Sequence, residues 1–429
     1  FRRSDWLFTT AVSDGERNSL SHQIETLTTA GHDHTVSPMT PPNSKTAGNP
    51  TLRIIERIAD IDGTAWNALG AAPFPFLRHE FLSALEEEGC LGEHFGWLPR
   101  HLTLWDAQQR LVAAAPLYLK FNSYGEFVFD WAWADAYARN GMRYYPKLVS
   151  ASPYTPATGP KLLVAADAPA QSSRLLLAAA QELARQEEAS SLHWLFTTAV
   201  ETELFEQAGL ARRVGCQFHW ENRRYTDFDA FLATLSSAKR KNIRKERRRV
   251  AEAGIVFRQL DGHGADHDDW ETFHQLYEST FHRHGGTPTL SLGFFESIAR
   301  SMPECVLLIL AEHASQPVAA AFCLVSDDTL YGRHWGCSAH FDNLHFEACY
   351  YQGLDYCIRH RLARFEPGAQ GEHKVARGFL PTETYSTHWL ADTRFHEAIA
   401  RHLDHERAGM RDYLAEMQSH SPYRADSAP

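Results

Sequence analysis

The sequence predicts an α/β protein of two similar units in tandem, each with a mixed, largely antiparallel sheet flanked by helices. Three observations predict this fold class. A chain of 429 residues is too long for one ordinary core, and 44% hydrophobic residues suffice for two. Helix-like and strand-like segments follow the same order in both halves. Residues 104–119 and 310–325 also align with each other, and both contain the tetrapeptide Val-Ala-Ala-Ala.

Composition limits the classes of function. A net charge of −11 argues against a protein that coats nucleic acid, although it leaves room for a local basic site. Seven cysteines without a Cys-x-x-Cys pair favour buried thiols in a reducing compartment. No apolar run approaches the roughly 18 residues of a membrane span, and no apolar signal segment begins the chain. The 24 histidines show no zinc-ligand spacing. We therefore expect a cytoplasmic protein without a metal.

Four regions are expected along the chain. Residues 1–50 are rich in Ser, Thr, Pro, Gly and Asn and predict a disordered leader. The first unit should span residues 51–222 and the second unit residues 223–400. A C-terminal helix and tail should follow over residues 401–429.

The first unit begins with a short apolar strand and contains a hairpin around the polar turn 106–110. Residues 171–186 place apolar side chains at helical spacing. The expected elements are a strand Leu52–Ile55, helices Ala65–Leu69 and His79–Gly89, hairpin strands His101–Trp105 and Leu111–Lys120, a strand Lys161–Val164, a helix Gln171–Gln186, a strand Ser191–Phe196, a helix Glu201–Gly209 and a strand Val214–Trp220.

The second unit repeats this order. Its hairpin again surrounds a polar turn, and the long apolar-periodic segment after it predicts a helix. The expected elements are helices Asp227–Leu235 and Lys239–Val250, a strand Ile255–Gln259, helices Trp270–Arg283 and Phe294–Met302, strands Val306–Ala311, Val318–Ser326 and Leu330–Cys337, a helix Phe346–Leu362, a strand Tyr385–Leu390 and a C-terminal helix Thr393–Met417.

Residues 365–379 form the richest candidate site. We expect this segment to be the loop that leaves the C-terminal end of a strand, where a scaffold presents polar groups to a ligand. Its glycines allow close approach of the backbone. An ordinary solvated loop is the alternative. The candidate side chains are Glu366, Gln370, Glu372, His373, Lys374 and Arg377.

Two further groups are candidates for substrate binding. His334 and Trp335, with Glu347 and Tyr350 on the following helix, would form the opposite wall of the site, although core packing also accounts for them. In the first unit, aromatic rings alternate with charged groups and would bind a sugar or peptide. The alternation over residues 127–133 also fits a buried strand. These first-unit candidates are Asp130, Trp131, Trp133, Asp135, Tyr145 and Lys147.

The helix predicted over residues 239–250 carries an unusual concentration of positive charge. Cations this close repel one another unless anions compensate. One interpretation is an anion site for the phosphates of coenzyme A, a nucleotide-linked precursor or a tRNA acceptor end. The other is a solvated face paired with Asp227, Asp229 and Glu252. The candidate anion-binding residues are Lys239, Arg240, Arg244 and Arg248.

The order of elements resembles the GNAT acyltransferase fold, and two such units in tandem resemble the FemABX acyltransferases. Several segments are similar to a FemAB-like family of predicted N-acyltransferases or peptidoglycan biosynthesis and recognition proteins, and the resemblance covers about residues 52–400. These segments are FPFLRHE (74–80), DWAWADAY (130–137), YYPK (144–147), TPATGP (155–160), residues 239–249 and FEPGAQGEHK (365–374).

The resemblance implies transfer of an acyl group from a thioester or ester donor to an amine acceptor, either a small molecule or a peptide such as a cell-wall precursor. It implies acyl-CoA or aminoacyl-tRNA as a co-substrate, with no bound cofactor. A tRNA-dependent transferase and a non-catalytic recognition protein are the alternatives. Lys374 corresponds to the lysine of a Phe-Lys pair in FemABX enzymes. Residues 337–346 lack the glycines of a GNAT pyrophosphate loop, which hinders backbone approach to a pyrophosphate.

Acyl transfer to an amine requires a proton acceptor and a donor that stabilises the tetrahedral oxyanion. Lys374 or Arg377 would stabilise the oxyanion. Glu366, Glu372 or His373 would accept the amine proton, and histidine has the unperturbed pKa nearest neutrality.

Overall fold

The computed structural model describes residues 50–369 and 371–424. The predicted leader, except for residue 50, therefore lies outside the described residues, as do Gln370 and residues 425–429. The strands are β1 (Thr51–Ile55), β2 (Trp97–Pro99), β3 (His101–Trp105), β4 (Leu111–Ala115), β5 (Tyr118–Lys120), β6 (Lys147–Ser150), β7 (Leu163–Val164), β8 (Ser191–Thr197), β9 (Ala211–Glu221), β10 (Ile255–Leu260), β11 (Val306–His313), β12 (Gln316–Val325), β13 (Thr329–Cys337), β14 (Arg364–Glu366) and β15 (Leu380–Leu390).

Most helices occupy the segments predicted from helical spacing of apolar residues, with ends shifted by a few residues, whereas the helix Trp131–Arg139 was not predicted. They are α1 (Gly63–Trp66), α2 (His79–Glu87), α3 (Trp131–Arg139), α4 (Ser172–Gln186), α5 (Ala199–Gln207), α6 (Phe228–Ala233), α7 (Ser237–Glu252), α8 (His267–Arg283), α9 (Leu292–Ser301), α10 (Leu344–Phe346), α11 (Gln352–His360) and α12 (Thr393–Ser419). A π-helical turn, Glu347–Tyr351, joins α10 to α11, and a 3₁₀ helix, Glu372–Arg377, follows β14.

The strands form two sheets. A four-stranded sheet has the order β1-β3-β4-β7, and an eleven-stranded sheet has the order β10-β11-β12-β13-β14-β9-β15-β8-β6-β5-β2. Most neighbouring strands are antiparallel, whereas β6 with β8 and β13 with β14 are parallel. Helices flank the sheets. The predicted α/β class with mixed, largely antiparallel sheets is confirmed.

The repeated hairpins predicted from sequence are present in both halves. β3 pairs with β4 and β11 pairs with β12, each antiparallel. The shared Val-Ala-Ala-Ala segment lies on the second strand of each hairpin, at residues 112–115 and 318–321. Small side chains at these positions are buried in both halves, which explains why the same tetrapeptide occurs twice.

The large sheet continues across the predicted boundary at residue 222. β9 lies between β14 and β15, and β15 pairs on its other edge with β8. Each half of the chain therefore contributes a strand that pairs with strands of the other half. The division into units at residues 51–222 and 223–400 stays a prediction.

Residues 127–133 do not form the buried strand that their alternation also fitted, because the chain is helical from Trp131 (α3). Trp133, Ala136 and Tyr137 are buried, whereas Trp131 and Asp135 are exposed. This spacing of three to four residues is that of a helix face, and it extends beyond the short alternating run.

The largest hydrophobic core cluster contains residues from both halves. Phe81 of α2 meets Phe294 of α9 with ring centroids 5.5 Å apart, and Phe76 meets Tyr331 of β13 at 5.0 Å. The packed interface between the halves therefore reaches β13, next to the candidate site. Within residues 50–369 and 371–424, every helix is too short or too polar to cross a membrane.

Candidate active site

Two parallel strands diverge where the predicted loop begins. β13 and β14 pair only through Thr329 with Arg364, Leu330 with Phe365, and Tyr331 with Glu366. β13 then runs on to Cys337, while the chain after Glu366 leaves the ladder at Pro367. A Cβ atom on Gly332 would lie 3.2 Å from the Cα of Pro367, so the two chains still pass close together and a larger residue at 332 would be crowded. We use the term notch for this junction at the carboxyl ends of the two strands, the edge at which α/β sheets bind ligands.

Glu366 lies at the base of this notch and is 5% exposed. Burial raises the pKa of its carboxyl to about 7, although the guanidinium of Arg364 opposes the shift. Its Oε2 has no hydrogen-bond partner among the described residues. Its Oε1 lies 3.8 Å from Nη1 of Arg364. A buried carboxylate with so little compensation is costly to ionise, and a pKa near neutrality suits a general base.

His219 of β9 faces the same carboxyl. Its Nδ1 lies 3.9 Å from Oε1 of Glu366, and its Nε2 lies 3.0 Å from Oε1 of Gln217. Burial lowers the pKa of His219 to about 3, with further lowering by the charges of Arg364 and Lys374. The ring is therefore neutral, so the contact with Glu366 is not an ion pair.

Lys374 lies in the 3₁₀ helix after β14 and is 2% exposed. Its Nζ donates a hydrogen bond of 2.8 Å to the carbonyl of Gly368, which adopts φ +93°. Burial lowers the pKa of Lys374 to about 7. Its ammonium group makes no ion pair with any residue in the described ranges. The structure brings Glu366 and Lys374 to the same loop without direct contact between them.

Arg377 is held by the protein itself. Its Nη2 lies 2.9 Å from Oε1 of Glu246, its Nη1 donates to the carbonyl of His373 at 2.9 Å, and its guanidinium lies 3.4 Å from the centroid of Phe346. His373 contacts the hydroxyl of Tyr350 through Nε2 at 2.8 Å. These contacts fix the 3₁₀ helix against α7 and the π-helical turn.

The remaining predicted loop residues have separate positions. Glu372 is exposed and accepts a hydrogen bond of 3.0 Å from the hydroxyl of Tyr413. Gln370 lies outside the described residues. Neither residue is placed by the structure beside Glu366.

The N-terminal half borders the notch through residues 154–160. Arg333, the bulged residue of β13, donates a hydrogen bond to the carbonyl of Tyr154. Nε2 of Gln217 donates to the carbonyl of Pro156 at 2.7 Å. Burial lowers the pKa of Arg333 to about 10, although Glu366 opposes the shift. The site is therefore built from both halves of the chain.

The predicted opposite wall is divided between the core and the site. The ring of His334 lies 5.0 Å from that of Tyr277, and burial lowers the pKa of His334 to about 3, as expected for packing between helix and sheet. Trp335 packs against His345 at 5.3 Å. Glu347 is buried against Arg247 at 3.1 Å. Of the four predicted wall residues, Tyr350 contacts a catalytic candidate, His373.

Three first-unit candidates are buried in a polar network. Asp130 bonds Lys147 and accepts a hydrogen bond of 2.6 Å from Tyr144. Lys147 also donates to Glu126 at 2.8 Å. Trp133 packs 4.8 Å from His388 of β15. These side chains do not form an open recognition surface, because the alternating segment folds as a helix that covers the sheet.

The other first-unit candidates lie outside that network's interior. Trp131 is 37% exposed and its ring lies 5.3 Å from that of Tyr124. Asp135 is on the exposed face of α3. Tyr145 is half-buried, with its hydroxyl 2.9 Å from that of Ser123. Their predicted role in binding remains a prediction.

A shallow, open groove of about 390 Å³ lies between side chains on successive turns of the basic helix α7, and all of its lining residues belong to that helix. Arg244 pairs with Asp229 at 2.7 Å and Arg248 with Glu252 at 3.5 Å, so part of the charge is balanced as the solvated-face interpretation expected. The groove is nevertheless lined almost entirely by cations. Its lining residues are Ser237, Arg240, Lys241, Arg244, Lys245 and Arg248. Lys239, the fourth predicted anion-binding residue, is half-buried outside this lining.

Sequence reasoning missed His219, Gln217 and Arg333. The signal for the first two was the alternation of polar Gln217, His219 and Glu221 with apolar Phe218 and Trp220 along a predicted strand. Such alternation indicates a polar face, but it does not show which distant residues meet that face.

A family model matches residues 57–425, and the family is FemAB_like, described as peptidoglycan biosynthesis/recognition. The chain belongs to this family. The match extends over both halves and includes every candidate residue named above. No curated protein matches the sequence.

Several solved structures are similar to the FemAB_like chain at low identity. The crystal structure of FemX has 12% identity and a TM-score of 0.49, covering 79% of this chain and 98% of its own. A tandem GNAT protein from the clavulanic acid biosynthesis pathway has 12% identity and a TM-score of 0.44, covering 80% and 99%. L-PGS from Bacillus licheniformis has 10% identity and a TM-score of 0.47, covering 77% and 98%.

Proposed function

We propose that this FemAB_like protein is an N-acyltransferase that moves an acyl group from a thioester or ester donor to the amine of a peptide or cell-wall precursor. The observation that carries the proposal is that a buried carboxyl, Glu366, and a buried amine, Lys374, of one loop both act on the same histidine, His219. Burial moves the pKa of both Glu366 and Lys374 to about 7. Groups poised near neutrality are typical of sites that exchange protons during a reaction.

In the proposed reaction the acceptor amine enters the notch between β13 and β14. The amine nitrogen attacks the acyl carbonyl carbon, and Glu366 takes the proton that the nitrogen loses. Lys374 in its protonated form stabilises the oxyanion, as preorganised donors do in acyl transfer. The new carbon–nitrogen bond is kept when the tetrahedral intermediate collapses, and the bond from the acyl carbon to the donor's sulfur or oxygen breaks. The leaving group carries away the electron pair of that bond.

The proposal predicts how the rate depends on pH. Glu366 must be ionised and Lys374 protonated, and both have a pKa of about 7. Plots of kcat/KM against pH should therefore form a narrow bell with a maximum near pH 7. A rate that keeps rising to pH 9 would contradict the role of a protonated Lys374.

The direct test is mass spectrometry of amine acceptors incubated with the full chain and acyl-CoA. A mass increase equal to the acyl group supports the proposal. Glu366→Ala and Lys374→Ala should lose turnover while still binding the acceptor, as isothermal titration would show. Unchanged turnover in both variants would remove Glu366 and Lys374 from the mechanism. Acceptor binding without turnover in the wild type, with every donor tried, would favour a recognition protein instead.

Aminoacyl-tRNA is the second candidate donor, and the groove of α7 favours it. Five cationic side chains line one groove of about 390 Å³, a pattern suited to a chain of phosphates. Charged tRNA replaces acyl-CoA in the same assay. Binding that weakens steeply with salt, and product formed only with charged tRNA, would select this donor.

A further inference from the structure

Gln217 connects the N-terminal half of the chain to the candidate base. It lies on β9 and is 3% exposed. Its side-chain amide joins two groups that are far apart in sequence. Nε2 donates to the carbonyl of Pro156 at 2.7 Å, and Oε1 lies 3.0 Å from Nε2 of His219.

These two contacts determine which nitrogen of His219 carries the proton. The carbonyl of Pro156 is only an acceptor, so the NH₂ group of Gln217 must face it. The amide oxygen of Gln217 then faces His219, and this oxygen is also only an acceptor. His219 must therefore donate from Nε2, and a neutral ring with hydrogen on Nε2 has a lone pair on Nδ1.

That lone pair points toward Glu366. Nδ1 of His219 lies 3.9 Å from Oε1 of Glu366, and neither Nδ1 nor Oε2 of Glu366 has a partner within residues 50–369 and 371–424. Catalytic hydrogen bonds are often long in the absence of substrate and shorten when substrate binds. The other charged groups that act on this pair are Arg333, Arg364, Lys374, Glu221 and Asp328.

We propose that Gln217 is a positioning residue that fixes His219 as the Nε2–H tautomer, so that Nδ1 receives the hydrogen bond of Glu366 once that carboxyl takes the amine proton. The proposal rests on the proposed function for the role of Glu366 as base. The amine proton moves to a carboxyl oxygen of Glu366, and the new O–H donates to Nδ1 of His219. The protonated base is thereby stabilised. Residues 154–160 of the N-terminal half control the tautomer through the Pro156 carbonyl.

The opposite tautomer would have the opposite effect. A hydrogen on Nδ1 would donate to the ionised carboxylate, favour the charged form and make Glu366 a weaker base. Gln217→Met removes the acceptor for Nε2–H and permits this tautomer. Gln217→Glu retains an oxygen that accepts from Nε2–H but loses the donor to Pro156, so it tests whether the accepting oxygen alone keeps the original tautomer.

Nitrogen NMR of protein labelled with ¹⁵N-histidine tests the tautomer without any activity. The ring signals of His219 are assigned by their loss in His219→Asn. We expect the wild type and Gln217→Glu to show protonated Nε2 and unprotonated Nδ1, whereas Gln217→Met shows a mixture or the reverse. An Nδ1–H signal in the wild type, or an unchanged pattern in Gln217→Met, would overturn the inference.

The pH profile of kcat/KM separates positioning from a structural role. In Gln217→Met the acid limb should move to lower pH by about one unit, because the carboxylate gains a donor. In Gln217→Glu the acid limb of the profile should stay at or above its wild-type pH.

The control is Gln316→Met at the exposed first position of β12, which should change nothing. Slower turnover with an unmoved limb in Gln217→Met would overturn the inference. An absence of any transferase activity would refute the proposed function, while the NMR result would still decide the tautomer.

Discussion

Both halves of the molecule bury a lysine next to a pair of parallel strands, but the two lysines have opposite surroundings. Lys147 begins β6 and donates to Ser123 and Glu126 at 2.8 Å each, in addition to its bond with Asp130. Lys374 follows β14 and donates to the carbonyl of Gly368 at 2.8 Å. The first lysine has two carboxylate partners, and the second has none among the described residues.

The difference in partners reverses the effect of burial on the pKa. Burial alone lowers the pKa of a lysine, and for Lys374 it lowers the pKa to about 7. Burial also acts on Lys147, but the charges of Asp130 and Glu126 outweigh it and raise the pKa. Equal burial can therefore produce a permanent ion pair or a group that titrates near neutrality. We infer that the first cluster stabilises the fold and that the second is available for chemistry.

The largest expected effect is on stability in the first cluster. Lys147→Met leaves Asp130 buried without its lysine and Glu126 with only Lys120, whose Nζ lies 3.9 Å away, which should lower the free energy of unfolding by about 3–5 kcal/mol. Chemical denaturation at pH 7 measures it. A loss below about 1 kcal/mol would show that the first cluster is as weakly coupled as the second.

Lys374→Met is the matched variant in the second cluster and should affect catalysis instead. The rate of acyl transfer should fall about 10²–10³-fold, because the oxyanion loses a donor. Stability at pH 7 should not fall by more than about 1 kcal/mol. The pKa of Lys374 is about 7 in the folded state and 10.5 ordinarily. Between these pH values the unfolded chain binds a proton that the folded chain does not, so the buried lysine favours folding above pH 10.5 and has lost that contribution near pH 7. If Lys374→Met lost as much free energy of unfolding at pH 7 as Lys147→Met, the distinction between the two clusters would be wrong.

Glu366→Gln should change how stability depends on pH. The pKa of Glu366 rises from 4.5 to about 7 on folding, so the folded state prefers the protonated acid. The contribution of Glu366 to the free energy of unfolding is full below pH 4.5. It is lost as pH rises toward 7, a change of about 2–3 kcal/mol. The wild type should therefore lose stability relative to Glu366→Gln over that interval. Parallel stability curves for the two proteins would show that Glu366 is not desolvated.

The smallest effect is expected on the exposed face of α7. Lys241→Ala with Lys245→Ala should change the free energy of unfolding by less than about 0.5 kcal/mol, because both side chains are exposed and make no ion pair with a described residue. Binding of a phosphate-rich donor should nevertheless weaken and depend less steeply on salt. Titration of tRNA and of acyl-CoA at several salt concentrations measures this. An unchanged salt dependence for both donors would exclude the groove as their site.

Local patterns were sufficient to predict most helices and strands, because apolar spacing and turn residues act over a few neighbouring positions. The loop with Glu366 and Lys374 was predicted from its glycines and mixed polar groups for the same reason. The segment 127–139 was the exception. Its alternating start suggested a strand, but burial of Trp133 and Tyr137 against the sheet stabilises a helix.

The sequence by itself determined the order of elements, the repeated hairpins and the loop that carries the candidate base. Only the tertiary structure decided that β9 lies between β14 and β15, and therefore that Gln217 and His219 meet Glu366. It also decided that Lys147 is paired with carboxylates, whereas Lys374 has no carboxylate partner among the described residues. The physical reason is that a pKa depends on burial and on the charges nearby, and both are set by residues that are distant in sequence and adjacent only after folding.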